Sequence, residues 1–268
     1  MIRFSILASG SSGNCIYVST EQSSVLLDAG VSGKQIQSAL EEIAVSGSDL
    51  DAILVTHEHQ DHIKGVGVVA RKFALPVYAT EGTWSEMDSQ IGQIPLERKR
   101  IVAAEEILEF GDLKIQPFRI SHDSKEPIGF CFFQGDTKLT VLTDLGFVSD
   151  RILEIIQDSN AYILEANHDT EMLRVGPYPW SLKRRILGDK GHLSNQSAGE
   201  ALVELANNQL TDVYLAHLSQ DNNTPELAEI TVQSVLQQNR IETYRLHKTY
   251  RNRPTTLQVL GQAESLQK

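Results

Sequence analysis

Cysteine is nearly absent from this 268-residue chain, which holds only Cys15 and Cys131. One pair is too few for a disulfide framework, and a reducing cytoplasm is the simplest setting. Long apolar runs are lacking too. Although 41% of the residues are hydrophobic, no stretch approaches the roughly 18 consecutive apolar residues of a membrane span. The opening MIRFSILASGSSGNC meets glycine and serine at once, without the basic flank, apolar run and cleavage site of a signal peptide. Positive charge is scarce: 24 Lys and Arg face 35 Asp and Glu, for a net charge of −11. That balance excludes a protein coating nucleic acid over a wide surface. It leaves room for a nuclease, because bound cations and a local basic patch can hold phosphate on an acidic body. No low-complexity linker divides the chain and no fixed-period repeat is visible. One soluble, cytoplasmic domain over residues 1–268 is expected, with the terminal AESLQK frayed.

Short β-like runs come first, IRFSILA, CIYVS and SVLLDAG, the first two joined by the small-residue turn ASGSSGN. SGKQIQSALEEIA has a helical pattern with Ser32 as its cap. The buried strand AILVT, an apolar helix-like stretch to Phe73, and PVYAT follow. Between about residues 99 and 143 the pattern is strands: KRIVAA, EILEFG, LKIQPFRI, GFCFFQ and KLTVLTD. Helix and strand then alternate through ILEIIQ, AYILEA, SNQSAGEALVELANN, DVYLAH and PELAEITVQSVLQQN. This order predicts an α/β fold, two sheets packed face to face with helices outside, in four layers αββα.

Directly after AILVT stands THEHQDH, residues 56–62. His57 and His59 are two apart, so in an extended segment they point the same way. Asp61 and His62 continue into the expected start of a helix. Four ligand-type side chains in six residues, at the end of a buried strand, are costly unless something binds them. His122 in RISHDS, Asp144 in VLTDLG and His217 in VYLAHLS each lie at or just past the end of an apolar run. Loops at strand ends gather into one site. Histidine ligands with two carboxylates suit zinc, with manganese or iron as further options, whereas magnesium and calcium prefer oxygen.

The pattern HxHxDH resembles the signature of the metallo-β-lactamase superfamily, and the resemblance covers nearly the whole chain. It implies two divalent metal ions between two ββα halves. His57, His59 and His122 would hold one, Asp61, His62 and His217 the other, and Asp144 would bridge them. Asp28, ending SVLLD, would orient the cluster without binding metal. Such a metal pair activates water at neutral pH and polarises a substrate oxygen. That makes a hydrolase without saying of what.

GHLSNQSAGEAL contains a further histidine, His192, outside this ligand set. Phosphate-ester hydrolysis expels a poor alkoxide leaving group, and a placed general acid contributes on the order of 10²–10⁴ in rate. His192 is the candidate, set behind Gly191 and expected to open a helix whose N-terminus also favours phosphate. In the phosphodiesterase branch of the superfamily, which includes the tRNA 3′-processing nucleases, a strand-end Glu supports such a His. Glu165 in LEANHD resembles it, although that branch often has His where Leu164 stands. Taken in order, ASGSSGNC, HEHQDH, EANHD, GHLSN and HLSQDNNTPE resemble the YycJ/WalJ group of bacterial proteins, with Gln60 in place of that group's usual Ser. The resemblance implies a 5′→3′ DNA exonuclease of the mismatch-repair type, working at DNA ends. Asp144 and Glu165 are too close to hold a β-CASP insertion, and no long Gly/Pro-rich tRNA-clasping arm is visible.

The segment MLRVGPYPWSLKRRILGDKGH, residues 172–192, gathers Arg174, Lys183, Arg184, Arg185 and Lys190 with Tyr178 and Trp180. Cations beside rings suit a groove for single strands or ends. A solvated helix with Trp180 packed beneath it is an equal alternative. The loop Ser9–Asn14, with Ser11 and Asn14 as candidate contacts, either cradles a phosphate or merely connects strands. His168 and Asn222 adjoin these segments without an assignable role. The rival function is a small-molecule phosphodiesterase, lactonase or thioesterase of the same fold. Net acidity favours that rival, and the basic-aromatic segment opposes it.

Overall fold

A computed structural model describes residues 1–261; the expected fraying of AESLQK falls outside the described residues. The first half builds β1 (Ile2–Ala8), β2 (Cys15–Ser19), β3 (Ser24–Leu27), β4 (Ala52–Leu54), β5 (Val77–Ala79) and β6 (Lys99–Ile101). The second half builds β7 (Leu108–Phe110), β8 (Leu113–Arg119), β9 (Ile128–Gln134), β10 (Thr137–Leu142), β11 (Ala161–Glu165), β12 (Thr211–Ala216) and β13 (Tyr244–Lys248). A last strand, β14 (Gln258–Leu260), returns to pair with β1. The two seven-stranded sheets run β14-β1-β2-β3-β4-β5-β6 and β13-β12-β11-β10-β9-β8-β7. Each is antiparallel on one side and parallel on the other, the change falling at β3 in the first sheet and at β10 in the second. The chain thus repeats one topology twice without a sequence repeat to announce it.

Helices cover the outer faces, giving the expected αββα layers. On the first sheet lie α1 (Gly33–Glu42), the short α2 (Gln60–Ile63), α3 (Val66–Phe73) and α4 (Glu81–Ile91); on the second side come α5 (Asp150–Ile156), α6 (Thr170–Val175), α7 (Trp180–Ile186), α8 (Asn195–Glu204) and α9 (Pro225–Gln238). Phe4, Ile6, Leu54, Phe130, Phe132 and Ile163 fill the space between the sheets. Ile36, Leu40, Val66 and Val69 seal one outer layer, and Leu202, Val232 and Leu236 the other. Strands buried on both faces need apolar residues at every position, which is why the runs read as continuous rather than alternating. Ser32 caps α1 as expected, accepting from Gln35 N at 3.3 Å in a reciprocal capping box. No helix among the described residues is long and apolar enough to cross a membrane.

Four elements escape the sequence pattern, one of them the short α6. The helix α4, EGTWSEMDSQI, is mostly polar and buries only Thr83, Trp84, Met87 and Ile91. The strands β13 and β14 lie at sheet edges, where most positions are only partly buried and few apolar residues are needed.

Candidate active site

The candidate residues gather at the carboxyl ends of the strands. Asp28 follows β3, Asp144 lies just past β10, Glu165 ends β11 and His217 follows β12. His57 stands three residues past β4, and His122 three past β8. In α/β sheets ligands bind outside these ends. Asp28, Asp144 and His217 have φ of 59°, 61° and 54°, in the left-handed region that costs non-glycine residues about 1–3 kcal/mol each. Asp28 and Asp144 occupy equivalent places in the two halves, each where antiparallel pairing gives way to parallel. The left-handed turn aims each carboxylate back across its strand end, and the surrounding fold bears the strain.

Nitrogen atoms of His57, His59 and His122 converge: His57 Nε2 lies 3.1 Å from His59 Nδ1, and His122 Nε2 lies 3.2 Å from it. Opposite them, Asp61 Oδ2 lies 3.2 Å from His217 Nε2 and 3.6 Å from His62 Nε2. Asp144 stands between, with Oδ2 at 3.2 Å from His62 Nε2 and Oδ1 at 3.9 Å from His122 Nε2. Each of these groups of donor atoms fits within 4.8 Å. On four of the five rings the second nitrogen is committed elsewhere. His62 Nδ1 donates to Asp28 Oδ2 at 2.7 Å, His122 Nδ1 to Gly191 O at 3.2 Å and His217 Nδ1 to Glu165 Oε1 at 2.9 Å. His57 Nδ1 donates to Thr56 Oγ1 at 3.0 Å, and that hydroxyl donates to Asp28 Oδ2 at 2.9 Å. These bonds commit Nδ1 and leave Nε2 of all four rings facing inward, the arrangement of metal-binding histidines. Asp144 Oδ2 is buried without a hydrogen-bond partner among the described residues. Ring nitrogens and carboxylates converging this closely need positive charge among them, protons in the free chain or metal ions in their place, so the residues fit a two-cation centre.

The electrostatics agree with that fit. Burial and the neighbouring His62 push His57 well below its ordinary pKa, keeping it a neutral nitrogen donor. Burial opposes protonation of His217, but Asp144, Asp61 and Glu165 outweigh it and raise that histidine to about 10. Asp144 is held well below the carboxylate range despite burial, chiefly by His217 and His62.

His192 stands at the lip of this cluster. Its Nδ1 donates to Glu165 Oε1 at 2.8 Å. Glu165 is fully buried and also accepts from Leu145 N at 3.1 Å and Leu193 N at 3.0 Å. One carboxylate therefore orients both His192 and His217, a shared duty that spacing in the sequence does not reveal. Burial disfavours charge on His192, yet Glu165 and Asp144 together raise its pKa above the ordinary value. Helix α8 is capped by Ser194, so His192 precedes the cap by two residues instead of opening the helix. Its position is set from the other side, by His192 N donating to Ile186 O at 3.0 Å at the end of α7. Gly191 is required there, because a Cβ would fall 2.1 Å from Ile186 O.

A cavity of about 360 Å³ opens over the cluster. His59, Asp61, Asp144, His192 and His217 line it together with Ser11, Tyr178 and Arg185. Asn167, whose amide donates to His217 O at 2.8 Å, also lines it and had no role from sequence. The basic-aromatic segment divides. Arg185 pairs with Asp123 beside His122, and Tyr178 donates to Asp221 at 2.9 Å. Arg174 pairs outward with Glu171, while Trp180 and Arg184 are exposed away from the cavity lining. Lys183 corrects the sequence reading. It is buried, and its Nζ donates to Arg174 O and Gly176 O, both at 2.7 Å, tying off the end of α6 instead of facing substrate. Asn14 is a second correction: it is buried, its amide Nδ2 lying 3.1 Å from His62 Nε2 and donating to Asp61 O at 3.3 Å, so it contacts the cluster residues themselves and does not line the cavity. Among the described residues the buried ring of His168 has no hydrogen-bond partner on either nitrogen, and burial lowers its pKa to about 4.

Residues 23–217 match the beta-lactamase superfamily domain. Exodeoxyribonuclease YycJ of Bacillus anthracis is 46% identical over 262 residues, spanning 97% of this chain and 99% of that protein. Exodeoxyribonuclease WalJ of Streptococcus pneumoniae is 47% identical over 238 residues, 88% of each chain. The solved metallo-beta-lactamase fold protein YhfI from Bacillus subtilis superposes with a TM-score of 0.71 at 13% identity, covering 95% of this chain and 99% of that one. That last likeness concerns fold alone. The two sheets, the histidine–aspartate cluster at their strand ends and these matches place the chain in the metallo-β-lactamase superfamily.

Proposed function

We propose that this chain is a two-metal phosphodiesterase that removes nucleotides from DNA ends, in the 5′→3′ direction, in the cytoplasm and in the service of mismatch repair. The observation that carries the phosphodiester part is His192, a histidine additional to the metal set, bonded to buried Glu165 and facing the cavity beside the cluster. DNA as substrate rests on the exodeoxyribonuclease relatives. His57, His59 and His122 would hold one cation, Asp61, His62 and His217 the other, with Asp144 shared between them and Asp28 orienting His62. Zinc or manganese suits this donor set, with iron as the further option. When bound, the cations supply a nucleophile from water at neutral pH and positive charge for the scissile phosphate.

The chain's own groups do the rest. Arg185 and Tyr178 line the approach to the cluster and orient the phosphodiester. His192, kept protonated by Glu165 and Asp144, donates its Nε2 proton to the departing sugar oxygen. Glu165, still bonded to Leu145 N and Leu193 N, holds the ring in line while the charge changes. A cavity of about 360 Å³ also suits a small ligand, which favours the rival small-molecule phosphodiesterase, lactonase or thioesterase. A substrate panel separates the two: duplex DNA, duplex RNA and a chromogenic phosphodiester, each with zinc and with manganese. DNA turnover exceeding the others supports the proposal. Turnover of the small diester alone transfers the site to the rival.

A further inference from the structure

A second cavity, of about 460 Å³, lies across a thin wall from the first. Ser9 belongs to that wall: it lines the second cavity, and its Oγ accepts from His217 N at 2.8 Å. Leu218 and Gln220 line the second cavity, while Ser219 between them lines the catalytic one. The opposite side is the loop Thr249–Arg253, fixed by Ser9 N donating to Tyr250 O at 3.0 Å and Thr249 Oγ1 donating to Leu215 O at 2.8 Å. The start of the 14-residue helix α9, at Thr224 and Pro225, completes the lining.

Its chemistry is unlike the rest of this acidic surface. Arg251 and Arg253 line the cavity, and among the described residues neither forms an ion pair. The guanidinium of Arg253 lies 3.7 Å from the centre of the Tyr250 ring. Arg251 runs along Gly10, where a Cβ would come within 3.1 Å of its Cγ, and reaches Leu218 O at 3.5 Å. Two cations left without carboxylates, in a chain of net charge −11, are placed for an anion from outside. A helix N-terminus adds partial positive charge at the same mouth. Leu218, Pro225 and Tyr250 give the lining an apolar component suited to a base.

We propose that this cavity is a second nucleic-acid subsite, taking the nucleotide next to the scissile one, with its phosphate on Arg251 and Arg253 and its base against Leu218, Pro225 and Tyr250. The inference rests on the DNA-end reading of the catalytic cavity and deepens it. Cleavage of a polymer end needs a hold on the strand beyond the reacting phosphate. The shared Ser9–His217 wall puts such a hold beside the catalytic cavity.

The test compares wild type with Arg251→Gln/Arg253→Gln on 5′-phosphorylated single-stranded DNA over a salt series, with a chromogenic diester as control. That diester is too short to reach the second cavity. The double variant is expected to raise KM for DNA about tenfold. The slope of log KM against log salt should become shallower by about 1.4, some 0.7 for each lost phosphate contact. Turnover of the small diester should stay level. Arg253→Gln alone, which removes one phosphate contact together with the stack on Tyr250, should give about half the slope change, and Arg251→Lys, which keeps the charge, should leave the slope near that of wild type. Unchanged KM and slope, in an enzyme that still degrades DNA, overturn the subsite and leave the exonuclease reading standing. A wild-type protein inert on DNA but active on the diester overturns both.

Discussion

Replacing His192 with alanine separates proton donation from every other duty of the site. The side chain contributes one of the four hydrogen bonds received by Glu165, the others coming from Leu145 N, Leu193 N and His217. Losing it should cost about 1.5–3 kcal/mol of stability, the worth of one hydrogen bond to a charged group. The fold and the seven proposed metal ligands should survive that loss. Catalysis should not. Without a donor for the sugar oxygen, kcat on DNA is expected to fall on the order of 10²–10⁴, or about 3–5 kcal/mol of barrier. On a chromogenic diester the leaving phenolate needs no proton, so the same variant should lose less than about tenfold. The pH profile carries the sign. Glu165 and Asp144 raise the pKa of His192 above the ordinary histidine value, so the protonated, active form prevails below that raised value and is lost as pH rises past it. Wild-type DNA cleavage should therefore decline on the alkaline side, and His192→Ala should lack that limb. The assay is steady-state cleavage of both substrates across pH, with metal content measured on the same preparations. Equal losses on DNA and on the chromogenic diester, or depleted metal, would refute proton donation by His192.

Asp61→Ala removes a carboxylate set 3.2 Å from His217 Nε2 and should abolish cleavage while roughly halving bound metal, measured by elemental analysis. Asp28→Asn weakens the bonds that fix His62 and Thr56, and should lower metal affinity about 10–100-fold in a chelator competition. His62 and His217 are held protonated in the metal-free chain by surrounding carboxylates, so metal uptake should expel protons. Calorimetry in two buffers of different ionisation enthalpy would reveal that release as a buffer-dependent heat. Lys183→Ala should lower Tm, by the loss of two buried hydrogen bonds worth about 1–3 kcal/mol together, and leave KM for DNA unchanged.

The histidine–aspartate cluster was legible because its residue types are conspicuous along the chain. His57, His59, Asp61 and His62 crowd into one short loop, and His122, Asp144 and His217 each end an apolar run. The layers were legible for a related reason, since strands buried on both faces must be apolar throughout. Side-chain direction was not legible. Lys183 and Arg185 are two apart on one short helix, yet the first turns inward to carbonyls and the second reaches Asp123 at the cavity. A helix face is chosen by packing, and composition is blind to it. Asn14 misled for a similar reason: a small polar loop reads as a phosphate cradle until His62 is seen against it. Arg251 and Arg253 drew no notice because their loop approaches Ser9 only through the fold, some 240 residues along the chain. The double role of Glu165 likewise exists only once β11 and β12 lie side by side.

The measurement that bears on the whole proposal is product analysis of duplex DNA labelled at either the 5′ or the 3′ end, with the metal-loaded protein. Early release of mononucleotides from the 5′ label, with the 3′-labelled strand shortening in step and all cleavage abolished by chelation, is the expected result. Intact DNA under both metals, with the cluster shown to be fully loaded, would contradict it.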